Sequence, residues 1–294
     1  MTKIIEKAIE KFKREGIFSP NDMVNATPFY NKEDGAAYNV WKLSGGGKQY
    51  VLKEGKNYEA EVYTTFLSRQ VGYAPALIAC FEDEKKKFLL IEYVDGEDLC
   101  ACNREKLKAA LNTLIALQND FWQDEKYATV GYTYEKDFAS CLDRAKYLGD
   151  GELENAYGEF LEVYKSLPRT LCHDDLLPFN VLVKGECAVI IDWEYAGLLP
   201  YPLSIARLLA HAGEGEESFF KMREEDKAFA IEYYYQNFIK TRGISKEEYN
   251  RTMQAFLFYE YTEWIMLANK YEGADKKRGE LYYQKAKSLL EAMK

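Results

Sequence analysis

Hydrophobic and polar positions follow different periods in the first third of the chain and in the remainder. The opening segment "MTKIIEKAIEKFKREG" has the spacing of an amphipathic helix that ends near Gly16. Between Ala36 and Gly55, two β-type runs flank "SGGGK", and these glycines indicate a hairpin turn. Helical spacing returns in "YEAEVYTTFLSRQVG" and stops at Gly72, after which "ALIACFEDEKKKFLLIEYV" predicts two strands joined by a charged turn.

Beyond "DGEDL" the pattern becomes mainly helical. Helical periodicity is strong in "REKLKAALNTLIALQNDFW" and near residues 135–166, and everything from about residue 203 onward looks helical. One β-like region, "NVLVKGECAVIID", interrupts it. We therefore predict an α+β chain of two lobes with a boundary near Val94–Asp98. A small β-rich N-terminal lobe would comprise residues 1–94, and a larger helical lobe residues 95–294.

Length and composition agree with two lobes. A chain of 294 residues is longer than most single compact cores, and 47% apolar residues suffice for a folded interior. Because no stretch approaches the ~18 consecutive apolar residues of a membrane span, we expect no transmembrane helix. The amphipathic N-terminus is unlike a signal peptide, so the expected location is the cytoplasm.

Charge and cysteine content limit the kinds of ligand and metal that the chain is expected to bind. A net charge of −9 without a Lys/Arg-rich block argues against nucleic acid, and suits a cationic small molecule, although many cytosolic proteins are acidic for solubility alone. The six cysteines form no C-x-x-C pair, and only His173 and His211 could assist them, which argues against a zinc site and for reduced thiols.

A dense polar motif, "LCHDDLLPFNVLV", lies between apolar runs. In it, Asp175 and Asn180 precede one predicted strand, and Asp192 follows the next strand, "AVII". If these strands form a hairpin, both of its ends face one region, where two carboxylates and an amide oxygen meet. Such oxygen ligands suit Mg²⁺. Without further evidence, the motif could also be an Asp-rich turn in which Pro178 is a turn-forming residue.

The pair "HDDLLPFN" and "IIDWEYAG" resembles the aminoglycoside phosphotransferases and choline kinases, small-molecule kinases with a protein-kinase-like fold. Their catalytic loop reads His-x-Asp-x-x-x-x-Asn, and an Asp stands near the end of the next strand. The resemblance implies that Asp175 orients the acceptor hydroxyl and takes its proton, and that Asn180 and Asp192 hold Mg²⁺ against the phosphates of ATP. It makes His173 a structural residue that bonds the backbone near Asp192.

The N-terminal lobe supplies independent support for this resemblance. Lys53, at the end of the strand in "YVLKEG", resembles the lysine that pairs with phosphates, and Glu59 is the candidate for its carboxylate partner, with Glu61 as the alternative. An exposed lysine at the end of a strand is the ordinary interpretation of Lys53 without the resemblance.

Two further segments resemble nucleotide-binding parts of the family. The stretch "DGAAYNVWKL" would be the phosphate-covering loop, with Gly35, although it lacks the G-x-G-x-x-G run of protein kinases. The segment "FLLIEYVDGEDL" resembles the hinge, whose backbone at Glu92 and Val94 would bond the adenine edge. The likeness extends from Gly35 to Arg207 and is loose beyond.

One position departs from the family pattern. In "LLPYPLSIARLLAH", Ser204 stands where the family usually has an Asp. A serine can cap a helix, but it cannot support the catalytic loop with charge. This departure casts doubt on the fine geometry of the loop rather than on the type of reaction.

Candidates for acceptor binding are less specific. Aromatic residues crowd the C-terminal helices, and an aromatic wall can hold a quaternary ammonium. By resemblance to choline kinases, Trp264 is a candidate, and Glu194 and Tyr195 could also face the acceptor. Aromatics at helical spacing are more often core residues, and aminoglycoside kinases use acidic residues instead. The sequence leaves the acceptor open.

Three functions compete. The first is an ATP- and Mg²⁺-dependent kinase of a small, cationic, hydroxylated molecule, a choline-like amino alcohol or an aminoglycoside. The second is a catalytically impaired, pseudokinase-like binding protein on the same fold, suggested by Ser204 and by the loop without a glycine run. The third, a metal-dependent hydrolase using Asp174, Asp175 and Asp192, needs more histidines than the chain has and leaves Lys53 unexplained.

Overall fold

The N-terminal lobe is a five-stranded antiparallel sheet with helix α1 (Thr2–Arg14) against one face. It is seen in a computed structural model that describes residues 2–30, 35–68, 72–215 and 218–293. In chain order the strands are β1 (Asn25–Tyr30), β2 (Ala37–Gly45), β3 (Lys48–Glu54), β4 (Leu77–Asp83) and β5 (Lys86–Glu92). Their order across the sheet is β1-β2-β3-β5-β4, so β3, which carries Lys53, is the central strand.

Burial of aromatic and aliphatic side chains fixes α1 to the sheet. Ala8 and Phe12 are fully buried against a cluster that includes Trp41 and Leu52 of the sheet, and the ring of Phe12 lies 5.7 Å from that of Phe81. Helix α1 ends just before Gly16, whose φ of +74° favours glycine. The predicted helix and the predicted glycine-turn hairpin, β2 and β3, are both confirmed.

The helix predicted after β3 is real but irregular. Helix α2 (Glu59–Val62) continues directly into a π-helical turn at Tyr63–Leu67. Residues 69–71, part of the predicted helix, lie outside the described residues. The wider turn accompanies full burial of Tyr63 and Phe66 beneath the sheet, so packing rather than helical propensity sets its backbone.

The C-terminal lobe is mainly helical, as predicted. Its helices are α3 (Arg104–Asp120), α4 (Tyr134–Ala145), α5 (Gly151–Ser166), α6 (Leu203–Ala210), α7 (Glu224–Tyr234), α8 (Lys246–Lys270) and α9 (Lys276–Met293). Its short strands are β6 (Glu97–Asp98), β7 (Arg169–Cys172), β8 (Val181–Lys184), β9 (Cys187–Ile190), β10 (Gly197–Pro200), β11 (Ala212–Gly213) and β12 (Phe220–Lys221). Of the described helices, none combines the length and apolarity needed to cross a membrane.

Three of these strands form the platform for the polar motif. β8 and β9 are the predicted hairpin, and β6 extends it to a three-stranded sheet. A second pair, β7 and β10, lies beside it. The chain leaves the N-terminal sheet at Glu92 and joins the C-terminal one at Glu97, close to the proposed boundary. The division into residues 1–94 and 95–294 stays a prediction.

The expectation of continuous helix after residue 203 is wrong at one place. Between α6 and α7 the chain forms the parallel pair β11 and β12. Gly213 allows the chain to approach itself closely here, since a Cβ atom would lie 2.4 Å from the Ser218 hydroxyl oxygen. A glycine here permits a contact that a larger residue would prevent.

Gly197 tests the packing beneath the site. A Cβ atom on Gly197, in β10, would lie 1.9 Å from the backbone oxygen of Tyr132. We expect Gly197→Ala to lower the free energy of unfolding by about 1–3 kcal/mol, because backbone must shift to relieve the overlap. Gly158→Ala on α5, where a Cβ meets nothing within 4 Å, is the matched control. It should be neutral or stabilising by up to about 1 kcal/mol. Urea denaturation measures both, and equal midpoints for the two variants would contradict the prediction.

Candidate active site

The loop between β7 and β8 carries the polar motif and is folded tightly upon itself. Pro178–Asn180 forms a 3-10 turn, and the Asn180 Nδ2 atom donates a hydrogen bond to the backbone oxygen of Asp175 at 2.9 Å. The Ile191 N–H donates to the backbone oxygen of Asn180 at 2.9 Å. The two parts of the motif, on either side of the β8–β9 hairpin, are thereby joined, and no described residue bonds the Oδ1 atom of buried Asn180, which can serve as a ligand.

His173 and Ser204 support this loop without charge. The His173 Nε2–H donates to the Ile191 backbone oxygen at 2.9 Å, which confirms the predicted structural role. Burial lowers the pKa of His173, in spite of that carbonyl, so the ring is neutral. The Ser204 hydroxyl accepts the His173 backbone N–H at 2.9 Å and approaches the His173 oxygen at 3.4 Å.

Ser204 does not cap its helix. The N-cap position of α6 is Pro202, and Ser204 lies inside the helix with its hydroxyl turned to the catalytic loop. Where the family pattern has an Asp, a neutral hydroxyl satisfies the loop backbone here. The expectation that it could act as a cap is therefore wrong.

Lys53 is held between two carboxylates. Its Nζ atom lies 2.8 Å from Glu59 Oε1 and 2.8 Å from Asp192 Oδ1. Glu61, the alternative partner, accepts the Gly131 backbone N–H at 3.3 Å instead. Burial alone would lower the pKa of Lys53, but the two carboxylates outweigh it and raise that pKa above its usual value. The ammonium therefore stays charged.

The two carboxylates around Lys53 differ in environment. Glu59 is fully buried, and burial raises its pKa to about 7, an effect that Lys53 opposes. Asp192 is partly exposed, and Lys53 holds its pKa below the usual range in spite of partial burial. Asp192 also has a φ of +67°, a left-handed conformation that costs a non-glycine residue about 1–3 kcal/mol and is found at functional sites.

A cavity of about 470 Å³ opens between the sheet and the β8–β9 hairpin. Lys53, Asn180 and Asp192 line its polar end, and Glu92 and Val94 of the predicted hinge line another part. The remaining wall is apolar and aromatic: Phe29, Tyr30, Tyr38, Val40, Val51, Pro75, Ile91, Tyr93, Phe179, Leu182 and Ile191. This combination suits a flat base at one end and phosphates at the other.

The donor set at the polar end fits a magnesium ion. Asn180 and Asp192 offer an amide oxygen and a carboxylate, the hard ligands that Mg²⁺ takes together with phosphate oxygens and water. Carboxylate oxygens of Glu59, Asp192 and Glu194 also lie within 4.8 Å of one another. Gly35, predicted for the phosphate loop, precedes β2 with a φ of +70° and is not among the lining residues, and Asp34 lies outside the described residues.

A second cavity, of about 330 Å³, lies on the other side of the catalytic loop and is rich in charge; we call it the acceptor cavity. Its lining consists of Tyr132, Asp137, Ser140, Arg144, Asp174, Asp175, Tyr195, Arg207, Tyr259, Glu260 and Glu263. Asp175 thus faces this cavity while Asn180 faces the other. One loop presents its functional side chains to two adjoining spaces.

Of the acceptor candidates taken from sequence, only Tyr195 lines this cavity. Glu194 turns to the N-terminal lobe, where its Oε2 accepts a hydrogen bond from Asn57 Nδ2 at 3.0 Å. Trp264 stacks on Phe219 at 5.2 Å, and its face is covered by the Arg278 guanidinium at 5.0 Å. The aromatic contact predicted for a substrate cation is therefore made by the protein's own arginine.

Sequence reasoning assigned no role to Arg207, although this residue pairs with three carboxylates of the cavity. Its Nη2 atom lies 2.9 Å from Asp175 Oδ1, its Nη1 atom lies 3.0 Å from Glu260 Oε2, and Glu263 accepts a further short bond. His211 Nε2 is 3.1 Å from the same Nη1. Arg207 belongs to the quoted "SIAR" segment, whose resemblance to the family pattern could have identified it. Glu260 and Glu263 lie within an aromatic helix, and no sequence motif marks them.

Residues 34–233 match the model of the phosphotransferase enzyme family. Protein LicA of Haemophilus influenzae is 27% identical over 116 residues, which are 38% of this chain and 34% of that protein. A second LicA sequence of that organism is matched over 43% of its length. The match thus spans well under half of either relative.

Two solved structures share the fold. A choline/ethanolamine kinase family protein from Mesorhizobium loti superposes with a TM-score of 0.64 at 16% identity, covering 98% of this chain and 95% of that one. A thermostable mutant of aminoglycoside phosphotransferase APH(4)-Ia, in ternary complex with ADP and hygromycin B, gives 0.54 at 14% identity, covering 97% of each chain. At these identities the likeness is one of fold.

A substitution at Ser204 tests whether its neutral hydroxyl supports the loop at His173. We expect Ser204→Ala to lower the free energy of unfolding by about 1–3 kcal/mol, because the buried His173 N–H loses its acceptor. Ser166→Ala, which removes an exposed hydroxyl bonded to Val163, is the control and should change stability by less than about 0.5 kcal/mol. Urea denaturation gives both values. A Ser204→Ala midpoint equal to that of the control would show that the loop does not depend on this bond.

Proposed function

Because the chain belongs to the phosphotransferase enzyme family, we propose that it transfers the γ-phosphoryl group of ATP to a hydroxyl group of a small, cationic molecule, with Mg²⁺ as the metal. One observation carries the proposal. The loop from Asp175 to Asn180 separates two cavities, and it presents an oxygen ligand to one and a carboxylate to the other. A phosphoryl donor and a hydroxyl acceptor need this arrangement, since they must meet in line at one point.

The nucleotide side has a fixed cation. Lys53 meets the phosphate oxygens in this proposal, and buried Glu59 holds its amino group in place. Asn180 and Asp192 would hold Mg²⁺, which neutralises charge on the phosphate oxygens when it is bound. The backbone of Glu92 and Val94 lines the apolar part of the cavity, where the base would lie.

Asp175 is the catalytic residue on the acceptor side. It accepts the proton of the acceptor hydroxyl while that oxygen forms its bond to the γ-phosphorus, and the bond from that phosphorus to the bridging oxygen of ADP breaks. The proton then passes to solvent through the partly exposed carboxylate. Arg207 fixes one oxygen of Asp175, so it acts as a positioning residue.

The charge of the acceptor cavity supports a cationic substrate. Five of its lining residues are carboxylates, against two arginines, so a cation is favoured there by the field of the site. The names of the similar structures, a choline/ethanolamine kinase family protein and a hygromycin B complex, agree with an amino alcohol or an amino sugar. Cytoplasmic location and the absence of nucleic-acid and membrane partners stay predictions.

Asp175→Asn tests the catalytic assignment. We expect phosphoryl transfer to fall by about 10²–10⁴-fold, because the amide cannot accept the hydroxyl proton. Binding of ATP with Mg²⁺ should persist, since Asp175 does not line the nucleotide cavity. ADP release in the presence of choline, ethanolamine, amino sugars, aminoglycosides and thiamine measures the first, and isothermal calorimetry the second.

A matched control for this variant is Asp143→Asn, an exposed aspartate at the end of α4 that pairs with Lys146 and Lys270. Its transfer rate should equal that of the wild type. An Asp175→Asn variant that keeps the full rate would end the assignment of Asp175.

Binding of ATP separates the kinase from a binding protein that ignores nucleotide. ATP with Mg²⁺ at 100 times its Kd should stabilise the native protein by about 2.7 kcal/mol, seen as a rise in Tm. We expect Lys53→Met to lose most of this rise, because the phosphates lose their cation. Lys86→Met in the same sheet, whose ammonium is exposed and pairs with Glu54, should retain it. No rise in the wild-type protein would refute the nucleotide site.

A pseudokinase-like protein that binds ATP but transfers nothing is the remaining alternative. It is favoured by the missing Asp at position 204 and by the loop without a glycine run, but Ser204 supplies the support at position 204 through a neutral bond. A wild-type protein that shows the thermal shift yet releases no ADP with any acceptor would favour it.

A further inference from the structure

Most acidic groups of the acceptor cavity already have a partner within the protein. The Arg207 guanidinium is bonded to Asp175 and Glu260, and it also holds Glu263. Burial lowers the pKa of Arg207, but these carboxylates outweigh it and raise that pKa well above its usual value. This group of one cation and three anions is therefore fixed, and its arginine cannot serve a ligand without losing those bonds.

Three ionisable side chains of this cavity, Asp137, Asp174 and Arg144, have no ionic partner among the described residues. Asp137 accepts a hydrogen bond from the buried Tyr164 phenol, so this carboxyl group has a polar partner within the protein. Asp174, in contrast, makes neither a hydrogen bond nor an ion pair with any residue of the described ranges, although it lines the cavity. The Arg144 guanidinium likewise has no carboxylate within ion-pair distance in the described part of the chain.

Arg144 is ordered by contacts that leave its charge unused. Its Nη1 atom donates to the backbone oxygen of Tyr259 at 2.9 Å, and its guanidinium lies 4.0 Å from the centre of the Tyr259 ring. Only one of its five N–H donors is committed in this way. A guanidinium that is held over a ring and has uncommitted N–H donors can bind a carboxylate.

Two hydroxyl groups lie in the same cavity as Arg144. Ser140 stands four residues before Arg144 on α4, on the same face of the helix, and its hydroxyl lies 2.8 Å from the Tyr132 hydroxyl. The Tyr132 hydroxyl also lies 3.4 Å from the Lys136 backbone oxygen, so the protein itself already uses the protons of these hydroxyls. Arg144 therefore supplies free N–H donors in this cavity, whereas Asp174 belongs to the loop beside Asp175.

The energetics favour a ligand that completes both groups. A charged group that is largely removed from water and lacks a counter-charge is costly. Burial raises the pKa of Asp174 well above its usual range, with repulsion from Asp137 and Glu260 added, and the two arginines only partly oppose this. The ionised form of Asp174 is therefore disfavoured unless a further cation lies beside it. A substrate ammonium beside Asp174 and a substrate anion beside Arg144 would supply the missing charges together.

We infer that the acceptor is a small zwitterionic hydroxy compound, an amino alcohol that also carries a carboxylate. Its ammonium meets Asp174, its carboxylate meets Arg144, and its hydroxyl meets Asp175. The inference rests on the proposed function and narrows the substrate class. The cavity of about 330 Å³ is at the small end of ligand sites, which favours such a molecule over a multi-ring aminoglycoside.

Acceptor pairs that differ only by the carboxylate test this inference. Ethanolamine against L-serine, and 3-aminopropan-1-ol against L-homoserine, provide two such pairs, and ADP release gives kcat and KM for each. In the wild-type protein we expect kcat/KM to be about 10- to 100-fold higher for the carboxylate member of at least one pair, since a charge-assisted bond of this type contributes that factor.

Arg144→Met should remove this preference. The carboxylate acceptor should lose about 10- to 100-fold in kcat/KM, mainly through a higher KM, while its amine-only partner changes less than about threefold. Arg144→Lys, which keeps the charge but not the fork of donors, should fall between the two. Lys146→Met just beyond α4 removes a cation that is 68% exposed, and it should leave both acceptors unaffected.

The outcomes separate this inference from the proposed function. Phosphorylation of choline, ethanolamine or an amino sugar without any advantage of the carboxylate would overturn the inference and leave the kinase function intact. An equal loss for both members of a pair in Arg144→Met, with an unchanged Tm, would also overturn it. Failure of the wild-type protein to bind ATP with Mg²⁺ would refute the proposed function itself. If ATP binds but calorimetry detects neither L-serine nor L-homoserine, the inference alone fails.

Discussion

The bridge Glu59–Lys53–Asp192 is the interaction on which the nucleotide side of this molecule depends. Lys53 is buried on the central strand of the sheet, and a buried ammonium persists only when carboxylates surround it. One of those carboxylates comes from α2 of the same lobe and the other from the segment after β9. Lys53 therefore links the N-terminal lobe to the segment after β9 across the cavity that lies between them.

Asp192 contributes to this bridge from an unfavourable backbone conformation. Its left-handed backbone is disfavoured for an aspartate, and the contacts around it must hold it there. The hydrogen bond from Ile191 to Asn180, and that from His173 to Ile191, are such contacts. The strained aspartate is thus held by hydrogen bonds that join its segment to the loop of Asp175 and Asn180.

The catalytic loop is supported differently on its two sides. Ser204 supports it through neutral hydrogen bonds at His173, where the family pattern places a carboxylate. Arg207, one turn further along α6, holds Asp175 through charge, and is itself held by Glu260 and Glu263 of α8. Arg207 and its three carboxylates already form one ion-paired group. Asp174 and Arg144 therefore remain as the ionisable groups of this cavity that a ligand can pair with.

The sequence by itself determined the groups that lie at the ends of local elements. Lys53 ends a strand, and Asp175, Asn180 and Asp192 flank one hairpin, so their spacing along the chain limits their positions in space. A hairpin brings its ends together whatever surrounds it, and for this reason the sequence could predict that Asn180 and Asp192 lie at one cavity. The choice of Glu59 over Glu61 needed the structure, because both precede the same π-helical turn.

Only the tertiary structure decided the acceptor side. Arg207 and Glu263 are 56 residues apart, and their contact exists because α8 packs against α6. The same packing puts Arg144 of α4 over Tyr259 and turns Trp264 away toward Phe219 and Arg278. Helical periodicity tells which face of a helix is buried, but not which other helix covers it. That choice depends on the fit of side chains across the whole core, and no local spacing records it.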